Sequence, residues 1–451
     1  MKLLAGVALL VAAQTSVAQS GVIPRDSVLR IVSDRVAAGR STGLVVGVVA
    51  PNGSRYDVVA GSERPGKALD ANSVFEIGSI TKTFTAILLA DMVARGEVRL
   101  DQPVAELLPA GTRVPSRSGK QITLGDLSSQ ISGLPRLPDN FKPADPSNPY
   151  ADYTVAQLYD FLGRYDLPRD PGAKYEYSNL GVGLLGHALA LRAGKSYEAL
   201  LTERVLKPLG MTHTAIALTP EMKAHMSLGH DPGGDVVPLW DIPTLAGAGA
   251  LRSSLDDMMK FLAANITPPN TPLGRAIAST HTARFTVNNA LSLGLNWHIS
   301  SFQGDTLIWH NGGTAGFRTI VAWNPRTRAG VVLLGNSSQD NEDIARHILA
   351  RLPLTTVTMR KEIALPATTL REYVGTYRLA PTFALDVTVD SAGAWLQATS
   401  QPRFRLFAEA PDKFFLKVVD AQLEFSRDST GRVSAVTLVQ NGARTTGKRE
   451  R

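Results

Sequence analysis

Phe75-Glu76-Ile77-Gly78-Ser79-Ile80-Thr81-Lys82-Thr83-Phe84-Thr85 is the segment around which this 451-residue chain is built. From Ile80 the apolar residues fall at Ile80, Phe84, Ile87, Leu88 and Met92, the stripe of an amphipathic helix. Gly78 and Ser79 stand where that helix begins, so Ser79 and Lys82 form an i, i+3 pair on one face. A hydroxyl at a helix N-terminus lies at the positive end of the macrodipole, which favours a developing oxyanion. A lysine one turn on can take or relay the hydroxyl proton if burial or a nearby cation lowers its pKa. The plainer reading of these residues is an N-cap serine followed by a solvated lysine. What decides between the two lies elsewhere in the chain.

Before the helix, the β-branched run 44–50, the Pro51-Asn52-Gly53 turn and the run 56–60 predict a hairpin. After it, Leu100-Asp101-Gln102-Pro103 opens a new segment, and 122–127 starts a helix that ends by Ser132-Gly133-Leu134-Pro135. Pro135, Pro138, Pro143, Pro146 and Pro149 make a stiffened surface loop of the kind that often forms a functional rim. Helices are expected over 153–165, 181–193, 197–205 and 254–265, and strands over 293–299, 306–309, 317–323 and 330–335, with a closing helix over 343–352. The pattern predicts an α/β (α+β) fold. One antiparallel sheet is drawn from both ends of this region and flanked by helices, with an all-α lobe beside it. Residues 353–366 read as a linker. Six short strands between 383 and 440 then predict a small all-β domain over 367–451, a half-barrel or sandwich with no catalytic cluster.

Residues 1–18 are read as a secretory signal peptide. Lys2 supplies the charge, 3–13 the apolar run and Ser16-Val17-Ala18 the cleavage site, leaving 19–352 as the main domain. An apolar run of that length is too short to span a bilayer, and no later stretch approaches a spanning length. The absence of cysteine excludes a disulfide scaffold and a thiol lipid anchor, so a periplasmic or secreted protein is expected. Formal charge is +7, or +6 once Lys2 is removed. The basic residues are scattered and accompany no nucleic-acid motif, so no nucleic-acid partner is expected.

Tyr177-Ser178-Asn179 follows Pro171-Gly172, with Asn179 placed as an N-cap. Trp309-His310-Asn311-Gly312-Gly313-Thr314-Ala315-Gly316-Phe317 ends one strand and begins the next. Its glycines allow close backbone approach, and a strand-edge N–H can donate to an oxyanion. His310 is expected to line the same groove or to pack within its strand.

With these segments in place, the 75–85 stretch followed by Ala94-Arg95-Gly96-Glu97-Val98 resembles the first motif of class C β-lactamases and their penicillin-binding relatives. Tyr177-Ser178-Asn179 resembles their Tyr–x–Asn second motif, and His310-Asn311-Gly312 occupies the place of their Lys–Thr–Gly third motif. The order and layout agree over residues 25–352, and the wording around Tyr373-Val374-Gly375-Thr376-Tyr377 is similar to β domains appended to such hydrolases. The resemblance implies an enzyme that forms an acyl-enzyme at Ser79. Lys82 and Tyr177 would share general-base work, with either one taking the first proton. Asn179 would orient Lys82 and hold a substrate amide, the Ser79 and Gly313 N–H groups would form an oxyanion hole, and His310 and Gly312 would border the substrate. The implied substrate is a small molecule or a peptidoglycan-derived peptide, a β-lactam or a D-Ala-type amide, and no cofactor is called for. An esterase, a D-aminopeptidase and a penicillin-recognising sensor are alternatives on the same scaffold. His310 in place of lysine predicts weaker recognition of a substrate carboxylate and slow lactam turnover, because histidine is mostly neutral at neutral pH.

Other patterns fail on context. Gly181–x–Gly183–x–x–Gly186 matches a dinucleotide fingerprint but follows no strand, so a small-residue helix face is expected. Gly39-Arg40-Ser41-Thr42-Gly43 has helix before and strand after, the reverse of a nucleophile elbow. His225 and His230 lack a third ligand, so no metal is expected. Arg252-Ser253-Ser254 reads as a capped turn near the site, and Gln130 is given no function.

Overall fold

Strand Gly43–Val49 is buried at every position, because both faces of the sheet around it are covered. Side chains alternate across a strand. Leu44, Val46 and Val48 therefore pack with Val28 and Val32 of helix Arg25–Ala37 and with Ile344 and Ile348 of helix Glu342–Ala350. Val45 and Val49 join the opposite cluster, which holds Phe84, Phe261 and Leu262. The computed structural model of the chain describes residues 22–450 apart from 303, 357–359, 402, 418, 420, 441 and 442. The expected signal peptide, 1–18, lies outside the described residues.

The main sheet has nine antiparallel strands among the described residues. Gly43–Val49 pairs with Arg55–Arg64 on one side and with Gly330–Gly335, from the other end of the region, on its second side. Arg318–Trp323, Asp305–Gly313 and His298–Phe302 follow outward. The chain is thus an α/β (α+β) fold with the sheet drawn from both ends of the main region, as the residue pattern implies. Two details differ. The single strand expected over 293–299 is two, Leu291–Leu293 and His298–Phe302, separated by a turn in which Asn296 has φ +54. The turn is held from outside, by Asn296 N–H donating to Ser128 O at 2.6 Å. Helix Thr81–Ala94 is also not amphipathic, since every residue from Thr81 to Met92 is buried. The α-lobe covers the face that its polar threonines would otherwise present to water.

The C-terminal segment closes into an eight-stranded barrel, not a half-barrel or sandwich. Strands Gly375–Ala380 and Ala443–Arg449, which lack a clear apolar alternation, pair through Tyr377–Arg449 and Arg378–Lys448 and seal it. Closure removes both sheet edges. Tyr377, Leu385, Leu396, Phe414, Leu423 and Val436 are among the side chains that fill the interior. Within 353–366, Ile363 donates to Ala408 O at 2.9 Å, so part of this connection is tied to the barrel wall.

Candidate active site

Strand Val74–Glu76 turns at Gly78, which has φ +49, into a 3-10 turn Gly78–Ile80 that leads directly into helix Thr81–Ala94. That turn leaves Ser79 partly accessible, while Lys82 one turn on is fully buried. A Cβ on Gly78 would stand 2.8 Å from Gly313 N, so only glycine lets this turn meet the end of strand Asp305–Gly313. Ser79 and Gly313 thereby border one cleft with Tyr150, Asn179, Trp240 and Thr314.

Lys82 Nζ stands 2.9 Å from Ser79 Oγ, 2.9 Å from Asn179 Oδ1 and 2.6 Å from Ala248 O. Burial, followed by the charge of Arg136, lowers its pKa well below the ordinary lysine value. A neutral amine has two N–H donors and one lone pair, which match two carbonyl acceptors and one hydroxyl donor. The Tyr177 hydroxyl is hydrogen-bonded to Ser79, and its ring lies 4.9 Å from Lys82 Nζ and 5.1 Å from the Arg136 guanidinium carbon. Burial raises the Tyr177 pKa, against smaller lowering effects from the Ser79 hydrogen bond and Arg136. The two candidate bases are shifted in opposite directions, toward a neutral amine and a neutral phenol.

Asn179 does not cap its helix. Ser178 does, accepting from Gly181 N at 2.8 Å, and Asn179 is the first helical residue of Asn179–Ala193. That shift of one position aims the Asn179 amide at Lys82 and, through Nδ2, at Tyr150 Oη at 3.0 Å. Gln130, assigned no function from the residue pattern, accepts from Ser178 N at 2.7 Å and donates to Asn296 at 3.0 Å. It therefore fixes the backbone between Tyr177 and Asn179. Its φ of +60 on a non-glycine residue is a visible mark of that constraint.

His310 is not on the groove wall. It is fully buried, with its ring 6.3 Å from Tyr177 and 5.2 Å from His298, and Nδ1 bonded to Asn311 O at 2.6 Å. Burial, then the His298 and Lys82 charges, drives its pKa well below the usual histidine range. The side chain points inward because strand alternation sets it on the face packed by those rings. Gly312 is likewise a packing position. An added Cβ would come within 1.9 Å of Ile77 O and 2.5 Å of Thr319 Oγ1. Gly312→Ala is expected to push this strand off the Ser79 turn and cost about 1–3 kcal/mol, read as a lower unfolding midpoint.

Arg252 is in a strand, Arg252–Ser254 paired with Val74–Glu76, and not in the expected turn. Its buried guanidinium donates to Trp240 O at 2.6 Å and lies 3.4 Å from Glu76, whose Oε1 accepts from Trp240 N at 2.7 Å. The pair fastens the Trp240 wall, against which Tyr150 packs with ring centroids 5.4 Å apart. Removing one partner leaves the other charge buried alone. Arg252→Ala is expected to destabilise the main domain by about 3 kcal/mol, measured by calorimetry. Gly183 packs against Leu245 and Gly186 against Gly247 and Tyr197, the small-residue contact expected of this helix face, while Gly181 lies against Ser178 and Leu127.

A cleft serine hydrogen-bonded to a tyrosine and set against a buried lysine defines the class: this is a serine hydrolase. A family model described as Beta-lactamase matches residues 28–354, and one described as a domain of unknown function (DUF3471) matches 359–449. The chain belongs to the beta-lactamase family. Similar proteins include a beta-lactamase of Pseudomonas fluorescens, 28% identical over 67% of this chain and 90% of the relative. The D-alanyl-D-alanine-carboxypeptidase/endopeptidase AmpH of Escherichia coli is 28% identical over 70% of this chain and 86% of its own. Among solved structures, the D-alanine carboxypeptidase AmpC from Burkholderia cenocepacia superposes with a TM-score of 0.63 at 27% identity, covering 73% of this chain and 99% of its own. A class C beta-lactamase superposes equally well, with a TM-score of 0.63 at 23% identity over 73% of this chain and 97% of its own, a likeness of fold.

Proposed function

We propose that this is an exported serine hydrolase that forms an acyl-enzyme at Ser79 on β-lactam or D-Ala-type amide substrates. The observation that carries the reading is the environment of Lys82: buried, without a carboxylate partner among its hydrogen bonds, and 2.9 Å from Ser79 Oγ. In that setting the neutral amine takes the Ser79 proton as Oγ attacks the carbonyl carbon. The carbonyl oxygen gains charge between the Ser79 and Gly313 N–H groups. The amide C–N bond then breaks, and the proton passes from Lys82 through the Tyr177 hydroxyl to the departing nitrogen. Water, deprotonated by the same amine, cleaves the ester and restores Ser79. Raised by burial, Tyr177 is better suited to relay a proton as a phenol than to act as a phenolate.

The relatives' names support both a lactamase and a carboxypeptidase. The neutral, buried His310 favours the peptidase side, since it supplies no cation where β-lactamases carry lysine. Incubation with a fluorescent penicillin and a chromogenic cephalosporin tests this. Durable labelling with little colour is the expected result. Rapid colour would make the protein a lactamase. Neither signal, together with ester turnover, would favour an esterase. Residues 1–18 support export, and the mass of the mature protein from the cell envelope checks for their removal. Among the described residues no helix is long and apolar enough to cross a membrane.

A further inference from the structure

The proline-bearing loop that begins at Pro135 ends at Tyr150, and it delivers that phenol to the Ser79 cleft. The ring packs against Phe141 and Trp240, with centroids 4.9 Å and 5.4 Å away, and Tyr150 is only 7% exposed. The loop is clasped to the segment that carries Trp240. Asn148 Nδ2 donates to Asp241 Oδ2 at 3.1 Å, and Asp241 N donates back to Asn148 Oδ1 at 2.8 Å. Thr244 Oγ1 adds a bond to Tyr153 O at 2.5 Å. The prolines restrict the unfolded loop, so few bonds suffice to hold it in place.

Asn179 is the group that the family resemblance assigns to a substrate amide, and here its bonds are already made. Its Oδ1 accepts from Lys82, and its Nδ2 donates to Tyr150 Oη at 3.0 Å. An amide nitrogen carries two N–H donors, and the phenol holds one of them. Burial raises the Tyr150 pKa, so the phenol accepts this bond as an uncharged oxygen. Space is equally short. The cavity bordered by Ser79, Tyr150, Asn179 and Trp240 has a volume of about 20 Å³. That is room for about one water molecule. An acylamino group, with its planar amide and the chain beyond it, is several times larger.

We propose that Tyr150 is a specificity residue that closes the acyl side of the cleft, so that Ser79 reacts preferentially with small acyl groups bearing no acylamino substituent. Donors that bear one must displace the phenol from Asn179 before they bind. The proposal rests on acylation at Ser79 and narrows the acyl donor of that reaction.

The test compares para-nitrophenyl acetate with the para-nitrophenyl ester of N-acetylglycine, which adds an acylamino group to the same acetyl carbon. Ser79 Oγ displaces nitrophenolate from either ester. The readout is the ratio of kcat/KM for the second ester to that for the first on one preparation, which does not depend on how much of it is folded. Tyr150→Phe keeps the ring but frees the Asn179 donor. It is expected to raise the ratio about 3-fold or more, the scale of one neutral hydrogen bond. Tyr150→Ala also opens the space and should raise it about 10-fold or more. An unchanged ratio in both variants, or in Tyr150→Phe should Tyr150→Ala not fold, overturns the role of Tyr150 while the Ser79 reading stands. If Ser79→Ala cleaves both esters as fast as the unaltered protein, or the unaltered protein cleaves neither above the solvent rate, the reading at Ser79 falls and the selection with it.

Discussion

Ser79→Ala is expected to abolish covalent labelling by a penicillin and to lower kcat/KM by about 1000-fold or more on any substrate the protein turns over. The reason is geometric. Ser79 is the hydroxyl that stands 2.9 Å from Lys82 Nζ, bonds to Tyr177 and borders the cleft. Intact-mass spectrometry after incubation with a penicillin gives the direct readout. Acyl adduct persisting in Ser79→Ala would place the nucleophile elsewhere. The substitution removes one partly exposed oxygen at the end of a well-packed helix, so folding should be little affected.

Lys82→Met should be nearly as damaging to turnover, and its second signature lies in stability. In the folded chain the amine is held neutral at pH values where the unfolded chain carries it charged. Between the depressed folded pKa and the ordinary lysine value, the unfolded state binds the extra proton, so stability rises with pH. Lys82→Met loses that dependence. The stability of the unaltered protein relative to Lys82→Met is therefore expected to increase with pH below the ordinary lysine value, with a limiting slope of about 1.4 kcal/mol per pH unit. Activity follows the same sign: it requires the neutral amine and falls as acid protonates Lys82. A flat stability difference over that range, in paired denaturant titrations, would mean that Lys82 stays charged when folded.

Much of this was legible in the residues. The i, i+3 spacing of Ser79 and Lys82 fixes their encounter once a helix forms, whatever surrounds it. The β-branched runs at both ends of the main domain fix a sheet built from both, because neither run can bury its two faces alone. Errors arose where the outcome depends on a partner remote in sequence. Gln130 gained its role from Ser178 and Asn296, 48 and 166 positions away. Arg252 is a strand residue because Glu76, 176 positions distant, gives its charge a buried partner. Strands Gly375–Ala380 and Ala443–Arg449 are too polar to read as strands, and only barrel closure satisfies their backbone groups.

Local spacing and periodicity placed Ser79 and Lys82 on one helix face and divided the chain into two parts, while their chemical roles and that of the Tyr177–Asn179 turn came from the resemblance to the family's motifs. The depressed pKa of the amine and the inward turn of His310 came only with packing. Those depend on desolvation and on distances between segments far apart in the chain, and neither quantity exists until the segments are packed together.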